Sequence, residues 1–534
     1  MRLLVLYAAR FASIGAIRDY LEGFQAHSRH EVFFMEAGDG AIPQTAHEPF
    51  DAVLVNFCCR LHYGSLFSDA CEAFVAGFSG IRIVVLQDEQ ENTLAVRKRV
   101  AHMRPHILFT TLPPEAWPIV FPDDVFGETK IVRLLTGYAR QRSLPHDLNL
   151  APLAQRRLTL GYRVTPHVWR WGKLGRLKIE VGQRFHEACL RRGIPADIAW
   201  TEEAKIYGDN WLRFNASCQG VLGSESGASI FDWHGDLQRQ ETQFRYARPG
   251  ATCEGFLSEV IEQEVSFDTG QVSPRVFEAT ITRTPLVMVE GKYAGVLREE
   301  EHYLAIKRDF SNVENILDRM SDLESLQNMV DRAYSHLIES GMFSYAVMSR
   351  EIDKEIEQTV IEIQGTKSKN ETSEPKPREQ RHGQYIPLPS DLNFLASYPT
   401  KSPLSSEHAL NKLAQFKNMV PDLTDVAQLG RTETLAIYGA GGGGKIVYQW
   451  LLESGRKADF FLDSMKDGEF CGLPILTRPT AFPGRKKLAI VIASQHFWEI
   501  ACVLVSSGFT NIFNGNGIIK KEISAPESLF PYDL

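Results

Sequence analysis

Short apolar runs alternate with amphipathic stretches of helical period through the first 140 residues of the chain. The apolar runs are LLVLYA, EVFFME, DAVLVNF, IRIVVLQ, HILFTT and KIVRLL, which begin at residues 3, 31, 51, 81, 106 and 130. This rhythm is typical of strands that are joined by crossover helices in a mainly parallel sheet. It predicts an α/β domain over residues 1–150.

A second alternation of the same kind begins with LTLGYRV at residue 158 and ends with HYLAIK at residue 302. The runs ADIAW, GVLGS and PLVMVE lie between these two. The pattern predicts a second α/β domain over residues 151–365, including helices that follow the last strand. Ser311 and Ser321 each precede a glutamate by three positions, so both are predicted to cap these helices.

The chain after this domain divides into a linker and a third unit. Residues 366–384 contain no large aliphatic side chain and many charged residues and prolines, so residues 366–400 are predicted to be a flexible linker. The segment TLAIYGAGGGGKIVYQWLLESG then starts another strand–helix alternation. It predicts an accessory Rossmann-like domain over residues 401–534.

Composition excludes several classes of protein. With 44% hydrophobic and 23% charged residues and a net charge of −8, the chain is neither disordered, nor fibrous, nor broadly nucleic-acid-coating. Its eight cysteines form no C-x-x-C pair, so neither a zinc site nor a disulfide framework is indicated. The amino-terminal run LLVLYAA lacks a cleavage segment, and no run approaches the roughly 18 residues that span a bilayer. We expect a cytoplasmic protein without a transmembrane segment.

A phosphate-binding constellation is indicated at the start of the second domain. Strand LTLGYRV ends near Arg163, Arg170 lies in a glycine-containing loop, and Lys178 lies on the helix that follows. A helix amino terminus with nearby cations suits a diphosphate. The alternative is an exposed basic loop, since three cations in sixteen residues are not rare.

Two further segments suit contacts to a ligand. Ser273 and Pro274 are a predicted N-cap and first helical residue, which places Glu278 on a helix where its carboxylate could accept both hydroxyls of a ribose. Ser224, Glu225 and Ser226 directly follow a short strand, where small and hydroxyl residues permit close approach of a ligand. The alternatives are a solvated helix glutamate and an ordinary turn.

Several segments resemble one family when they are taken together. The segments GVLGSESGASIFDWHGDL, VSPRVFEATITRTPLVMVEGKYAGVL, HYLAIKRDFSN, DRAYSHLIESGMFSYAVM, QDEQENT and RLLTGYAR resemble bacterial glycosyltransferases of the CgeB-like, group 1 type. The resemblance covers roughly residues 1–355. It implies a GT-B fold of two Rossmann-like domains, in which the second holds the nucleotide sugar and the first holds the acceptor.

The resemblance also implies roles for individual residues. Glu278 matches the glutamate that holds the ribose, and Arg163 lies where such enzymes place a cation at the diphosphate. Asp88 and Glu89 follow strand IRIVVLQ, where a catalytic acid of the first domain would emerge, although either could instead cap the next helix. Gly270 stands where many retaining enzymes of this fold carry another acid, which leaves the sugar contacts and the stereochemical outcome open. The sequence contains no metal-binding motif, and we expect transfer to require no metal ion.

The third unit carries a dinucleotide-type fingerprint. Gly439, Gly441 and Gly444 have G-x-G-x-x-G spacing between a strand and an amphipathic helix, and Asp463 follows the next strand, where an acid meets a ribose. The segment resembles the nucleotide-sugar-binding domains of bacterial sugar acetyltransferases, which implies a nucleotide or nucleotide sugar as ligand. A glycine-rich turn in a scaffold without ligand is the alternative.

The sequence therefore predicts a glycosyltransferase that moves a sugar from a nucleoside-diphosphate sugar to a glycan, protein or lipid-linked acceptor. Two other hypotheses remain open at this stage. One is a non-catalytic protein that binds sugar nucleotides or serves as a scaffold. The other is a bifunctional protein whose third domain modifies sugars with NAD.

Overall fold

The first domain is built on a six-stranded parallel sheet with the strand order β2-β1-β4-β5-β6-β7. Its elements are β1 (Arg2–Tyr7), α1 (Gly15–His27), β2 (Glu31–Glu36), β3 (Ile42–Pro43), β4 (Ala52–Val55), α2 (Asp69–Ala76), β5 (Ile81–Val85), α3 (Thr93–Met103), β6 (Ile107–Thr110), α4 (Trp117–Val120), α5 (Asp123–Phe126) and β7 (Lys130–Arg133). The central strands are apolar on both faces because helices cover both sides of the sheet.

The computed structural model describes residues 1–519 except 12–13, 39–40, 44–48, 64–65, 141–143, 165–168, 202–203, 207, 249, 261–264, 266, 268, 371–395, 398, 403–417, 431–433, 464–467, 477–486, 495–496 and 507. Among the described helices, none is long and apolar enough to cross a bilayer.

The second domain has a five-stranded parallel sheet in the order β12-β11-β10-β8-β9. Its elements are β8 (Leu160–Arg163), α6 (Gly172–Arg192), β9 (Ala196–Ala199), α7 (Asp209–Ala216), β10 (Val221–Gly223), α8 (Leu237–Ala247), α9 (Cys253–Val260), α10 (Pro274–Ile281), β11 (Leu286–Val289), β12 (Tyr303–Ile306), α11 (Val313–Arg319), α12 (Leu323–Tyr334) and α13 (Tyr345–Asn370). A π-helical turn, Ser335–Glu339, follows α12.

The third domain contains a sheet with the order β16-β17-β15-β14-β18-β19, in which only the β16–β17 pair is antiparallel. Its elements are β14 (Thr434–Tyr438), α14 (Gly442–Glu453), β15 (Phe460–Leu462), β16 (Gly468–Phe470), β17 (Leu473–Leu476), β18 (Leu488–Ile492), α15 (Phe497–Ser506) and β19 (Asn511–Asn514), preceded along the chain by β13 (Ala396–Ser397). Its two apolar clusters contain described residues from Val420 onward only, so this domain has its own core.

These sheets confirm the predicted α/β class, with two Rossmann-like domains and a third Rossmann-like domain after them. The chain passes between the first two domains twice. It leaves the first after β7 and returns through α13, whose buried Met348, Ile352 and Ile356 join the core formed by β1 and α1. The second crossing fastens the two domains to each other.

The segment after α13 also contacts the first domain. Ala396 and Ser397 of β13 pair with β3, and the backbone of Thr400 exchanges two hydrogen bonds of 2.8 Å with Phe34 at the edge of β2. The helix α13 extends to Asn370, so both ends of the predicted linker 366–400 have regular structure in the described residues.

The two predicted serine caps are wrong. Asn312 is the N-cap of α11, and it makes no side-chain cap bond. Asp322 caps α12, because its carboxylate accepts from Ser325 N at 3.0 Å. An ionised carboxylate next to the predicted serine is the better acceptor at a helix amino terminus. The predicted cap at α10 is confirmed, with Ser273 as N-cap and Pro274 at the first helical position.

Candidate functional site

A cavity of about 290 Å³ opens where β8 and β10 end in the second domain, beside α6, α7 and α10. The polar residues that line it are Arg163, Lys178, Asn215, Ser224, Ser226, Ser273 and Arg275. Its apolar walls come from β10, β11 and the aromatic rings of Trp171 and Trp211. The carboxyl edge of a parallel sheet is where ligands bind in open α/β folds.

Two cations in this cavity have no carboxylate partner in the part of the chain that the structure describes. Lys178 lies in the second turn of α6, and Arg275 lies in the first turn of α10. Burial lowers the pKa of Lys178 to about 8, against the opposing influence of the Asp88 carboxylate. Positive charge that is partly desolvated and forms no ion pair with the described carboxylates favours an anionic ligand.

The two tryptophans bring each cation against an aromatic face. Lys178 Nζ lies 4.8 Å from the ring centroid of Trp171, and Arg275 Cζ lies 5.2 Å from that of Trp211. Such contacts fix the side chains without cancelling their charge. The indole Nε1 of Trp171 is buried and has no hydrogen-bond partner within the described residues, so a donor group also remains available there.

Glu278, the predicted ribose ligand, does not line this cavity. Its Oε2 accepts a hydrogen bond of 2.8 Å from Trp211 Nε1, so the carboxylate positions the ring that forms the cavity wall. Burial raises the pKa of Glu278, and the bond from Trp211 opposes this shift. Direct contact between Glu278 and a ribose stays a prediction.

Arg163 lies at the cavity with its guanidinium already bonded. The guanidinium donates to Ala204 O at 2.9 Å. It also donates to the backbone carbonyl of Asp197 at 2.9 Å and to the carboxylate of Asp197 at 2.8 Å. Its own carbonyl accepts from Arg275 Nη1. Arg163 therefore supports Arg275 through its backbone, and its proposed contact with a diphosphate stays a prediction.

The serine loop after β10 splits into two roles. Ser224 and Ser226 line the cavity, whereas Glu225 is 3% exposed and bonded elsewhere. Its carboxylate accepts from Lys292 N at 2.7 Å and Tyr293 N at 3.0 Å, and Arg308 lies 3.2 Å away. Glu225 thus anchors the loop after β11.

Arg170 does not line the cavity and instead approaches the cleft between the domains. Its backbone N–H donates to Glu241 at 3.3 Å, and its guanidinium lies 3.6 Å from the same carboxylate. Burial would raise the pKa of Glu91 in the first domain, but His62 and the charges of Arg60 and Arg170 hold it below its usual value. Arg170 therefore acts on the first domain electrostatically.

Of the two predicted acids of the first domain, only Asp88 faces the cleft. Asp88 is partly exposed, pairs with Arg60 at 2.9 Å, and acts on the charge of Lys178 across the cleft. Glu89 is 2% exposed, and it accepts hydrogen bonds from both Thr110 and Thr111. Burial raises the pKa of Glu89. The charge of Asp88 therefore influences Lys178 in the cavity, whereas Glu89 is buried and bonded within the first domain.

Glycine is required for different reasons at the fingerprint positions of the third domain. A Cβ at Gly444 would lie 1.9 Å from Gly439 O, and Gly439 itself has φ +116°, so backbone packing alone requires both glycines. Gly441 is the N-cap of α14 with φ −141°, an extended conformation that any residue adopts. Asp463 accepts from Ala440 N at 2.9 Å, so its carboxylate holds the glycine loop. Only Gly441 is left as a position that close approach of a ligand would explain.

No group of three or more His, Cys, Asp or Glu side chains that could hold a metal occurs among the described residues. No protein-family model matches the sequence. No curated protein matches it either.

Several solved structures match this chain at low similarity. TarM matches with a TM-score of 0.31 and 8% identity over 57% of this chain, which spans about half (54%) of TarM. An α-glucosyltransferase solved with UDP and a DNA containing an HMU base matches with a TM-score of 0.40 and 10% identity, over 67% of this chain and 98% of that chain. Alr3699/HepE of Anabaena, solved with UDP, matches with a TM-score of 0.37 and 12% identity, over 67% of this chain and 100% of that chain. At these scores and identities the similarities do not carry an activity over to this chain.

Sequence reasoning missed Arg275 and Trp171. Arg275 occupies the first turn of α10, where the positive end of the helix dipole disfavours a cation. A cation at such a position is a signal of function that the pattern PRVFE already contained. Trp171 precedes α6 with no comparable signal.

Proposed function

We propose that this chain is a glycosyltransferase of the CgeB-like type that transfers a sugar from a nucleoside-diphosphate sugar to a hydroxyl of a glycan, protein or lipid-linked acceptor. The observation that carries the proposal is the pair of cations without carboxylate partners, Lys178 and Arg275, in a cavity at the carboxyl edge of the second sheet. A diphosphate is the ligand group that such a pair suits best.

The cavity residues would act on the leaving group. As the bond from sugar to phosphate breaks, negative charge develops on the diphosphate, and Lys178 and Arg275 would stabilise it. Ser224 and Ser226 can donate hydrogen bonds at the same edge. Arg163 would hold Arg275 in place through its carbonyl oxygen.

The acceptor hydroxyl would be activated from the first domain. We assign the general base to Asp88, because it is partly exposed at the cleft and acts on Lys178. Arg60 would orient the carboxylate of Asp88, which would take the proton of the hydroxyl. Transfer without a metal ion and binding of a nucleotide sugar by the third domain are further parts of the proposal.

A non-catalytic protein that binds sugar nucleotides is the second candidate. Two observations favour it: Gly270 supplies no acid near the sugar, and Asp88 already forms an ion pair with Arg60. This protein would bind the donor in the same cavity but would not hydrolyse or transfer it. The bifunctional alternative needs a redox cofactor in the third domain, where packing alone explains two of three fingerprint glycines.

The test begins with thermal unfolding in the presence of UDP, GDP, ADP, CDP and their sugar conjugates. A ligand at 100 times its dissociation constant stabilises by about 2.7 kcal/mol, which is readily measured. Release of sugar from the stabilising donor then separates the enzyme from the binding protein. Lys178→Met should reduce the stabilisation at the same ligand concentration, whereas Lys173→Met, on the exposed side of α6, should preserve it. Equal stabilisation of both variants would contradict the assigned site.

A further inference from the structure

The cavity wall contains a buried amide that the protein leaves unpaired. Asn215 lies near the end of α7, is 0% exposed and lines the cavity. Neither its side-chain oxygen nor its side-chain nitrogen has a hydrogen-bond partner in the described part of the chain. Among the described residues it is the only side chain with both a donor and an acceptor left unpaired in this way.

The position of this amide is fixed by its backbone. Asn215 O accepts from Thr284 Oγ1 at 2.9 Å and from Cys218 N at 3.0 Å, so the end of α7 is held beside the strand β11. A buried polar group without a partner destabilises a protein, and native structures contain few of them. A ligand that enters the cavity and bonds to the amide would account for its presence.

The amide and the cations lie at different depths of the cavity. Gly161, Val221 and Leu286 line it near the beginnings of β8, β10 and β11, on the same side as Thr284, which bonds to Asn215. Lys178, Ser224 and Arg275 line it where the strands end. Since a strand rises about 3.3 Å per residue, the two regions are separated by about 10 Å. A suitable ligand is anionic at one end and carries a flat, largely apolar group with a polar edge at the other.

A nucleoside diphosphate has this chemistry. We propose that Asn215 forms two hydrogen bonds to the pairing edge of the donor's nucleobase, and thereby sets the base preference of the site. The proposal rests on the proposed function, because it places the diphosphate on Lys178 and Arg275. An amide presents an acceptor and a donor side by side, and a base edge with the complementary pair satisfies both atoms. A site that hydrogen-bonds its ligand rejects analogues that leave its polar groups unpaired.

The test compares Asn215→Leu with the wild type in the full chain. Calorimetric titration with UDP, GDP, ADP and CDP gives four dissociation constants for each protein. We expect the wild type to prefer one base and the leucine variant to bind that nucleotide roughly 10- to 100-fold more weakly. Affinities for the other three nucleotides should change by less than about threefold, so that the preference disappears. An unchanged preference would overturn the proposal.

Three controls separate recognition from folding and from the diphosphate contacts. Without ligand, Asn215→Leu should unfold at the same or a higher temperature, because an apolar side chain of similar size replaces unpaired polar atoms. A lower unfolding temperature would assign the amide a structural role and overturn the proposal. Inorganic pyrophosphate should bind both proteins equally, because it has no base. Thr280 does not line the cavity, and its buried hydroxyl donates to Val276 O at 2.8 Å; Thr280→Val should leave all four affinities unchanged.

A second variant keeps the proposal testable if the leucine variant does not fold. Asn215→Asp keeps the shape but replaces the donor by a second acceptor, so the order of the four affinities should change. The same order in the aspartate variant would contradict the proposal. If the wild type binds none of the four nucleotides, the proposed function and this inference both fail. If the wild type binds these nucleotides and both variants keep its order of affinities, the inference alone fails.

Discussion

Lys178 should make nucleotide binding depend on pH in a range where arginine and the diphosphate do not titrate. Its pKa is lowered to about 8 by burial, so about 90% of the side chain is charged at pH 7 and about 10% at pH 9. If only the charged form holds the diphosphate, affinity should fall about tenfold between these values, or about 1.4 kcal/mol. Arg275 stays charged throughout and supplies the remaining attraction.

The bound diphosphate should in turn raise the pKa of Lys178, because a nearby anion favours the ammonium form. Binding at pH 8 should therefore take up about half a proton. Titration calorimetry at pH 8 in two buffers of different ionisation enthalpy measures this uptake directly. The nucleoside diphosphate of UDP, GDP, ADP and CDP that binds best at pH 7 serves as the probe.

Lys178→Met gives the matched comparison. The variant should bind more weakly at pH 7, show equal affinity at pH 7 and pH 9, and take up no proton. Lys173→Met should behave as the wild type does. A wild-type affinity that stays constant from pH 7 to pH 9, or equal proton uptake by wild type and Lys178→Met, would refute the assignment of Lys178 to the diphosphate.

Three further predictions concern the other assigned residues. Glu225→Ala should lower the free energy of unfolding by about 2 to 4 kcal/mol in urea denaturation, because two backbone N–H groups and an arginine lose their acceptor; unchanged stability would show that Glu225 anchors nothing. Asp88→Asn should reduce kcat by about 100-fold or more while Glu89→Gln changes it by less than about threefold, and the reverse order in steady-state kinetics would exchange their roles. Gly444→Ala should destabilise the third domain by about 2 to 4 kcal/mol in thermal unfolding, since its Cβ meets a backbone oxygen, whereas Gly517→Ala meets nothing; equal effects would disprove the packing argument.

The strands of all three sheets could be predicted from the sequence because their apolar runs are continuous. EVFFME corresponds to β2 at both ends, and HILFTT contains β6. In a parallel sheet with both faces covered, side chains on both faces of a strand are buried, so a continuous apolar run in the sequence indicates the strand directly. The glycine loop before α14 and the Ser273 cap are equally local features, and the structure contains both.

The partners of the site residues could not be predicted, because they come from distant parts of the chain. Two residues that accept from Arg163 lie 34 and 41 positions away, and Glu225 bonds to residues 67 and 68 positions away. A carboxylate or guanidinium in a loop has the same letter whether it binds a ligand or a neighbouring backbone. Only the packed structure shows that Glu278 holds Trp211 and that Asp88 pairs with Arg60.

The pairing between Thr400 and Phe34 has a consequence for aggregation. Because β2 lies at the end of its sheet, its outer backbone groups would otherwise be open to pairing with another chain. The backbone of Thr400 takes both hydrogen-bonding groups of Phe34, and Lys401 lies over the Phe33 ring with its ammonium 3.9 Å from the centroid. A protease that cuts between Asn370 and Ala396 would let this cover detach, and the exposed strand would then favour self-association of the two-domain fragment.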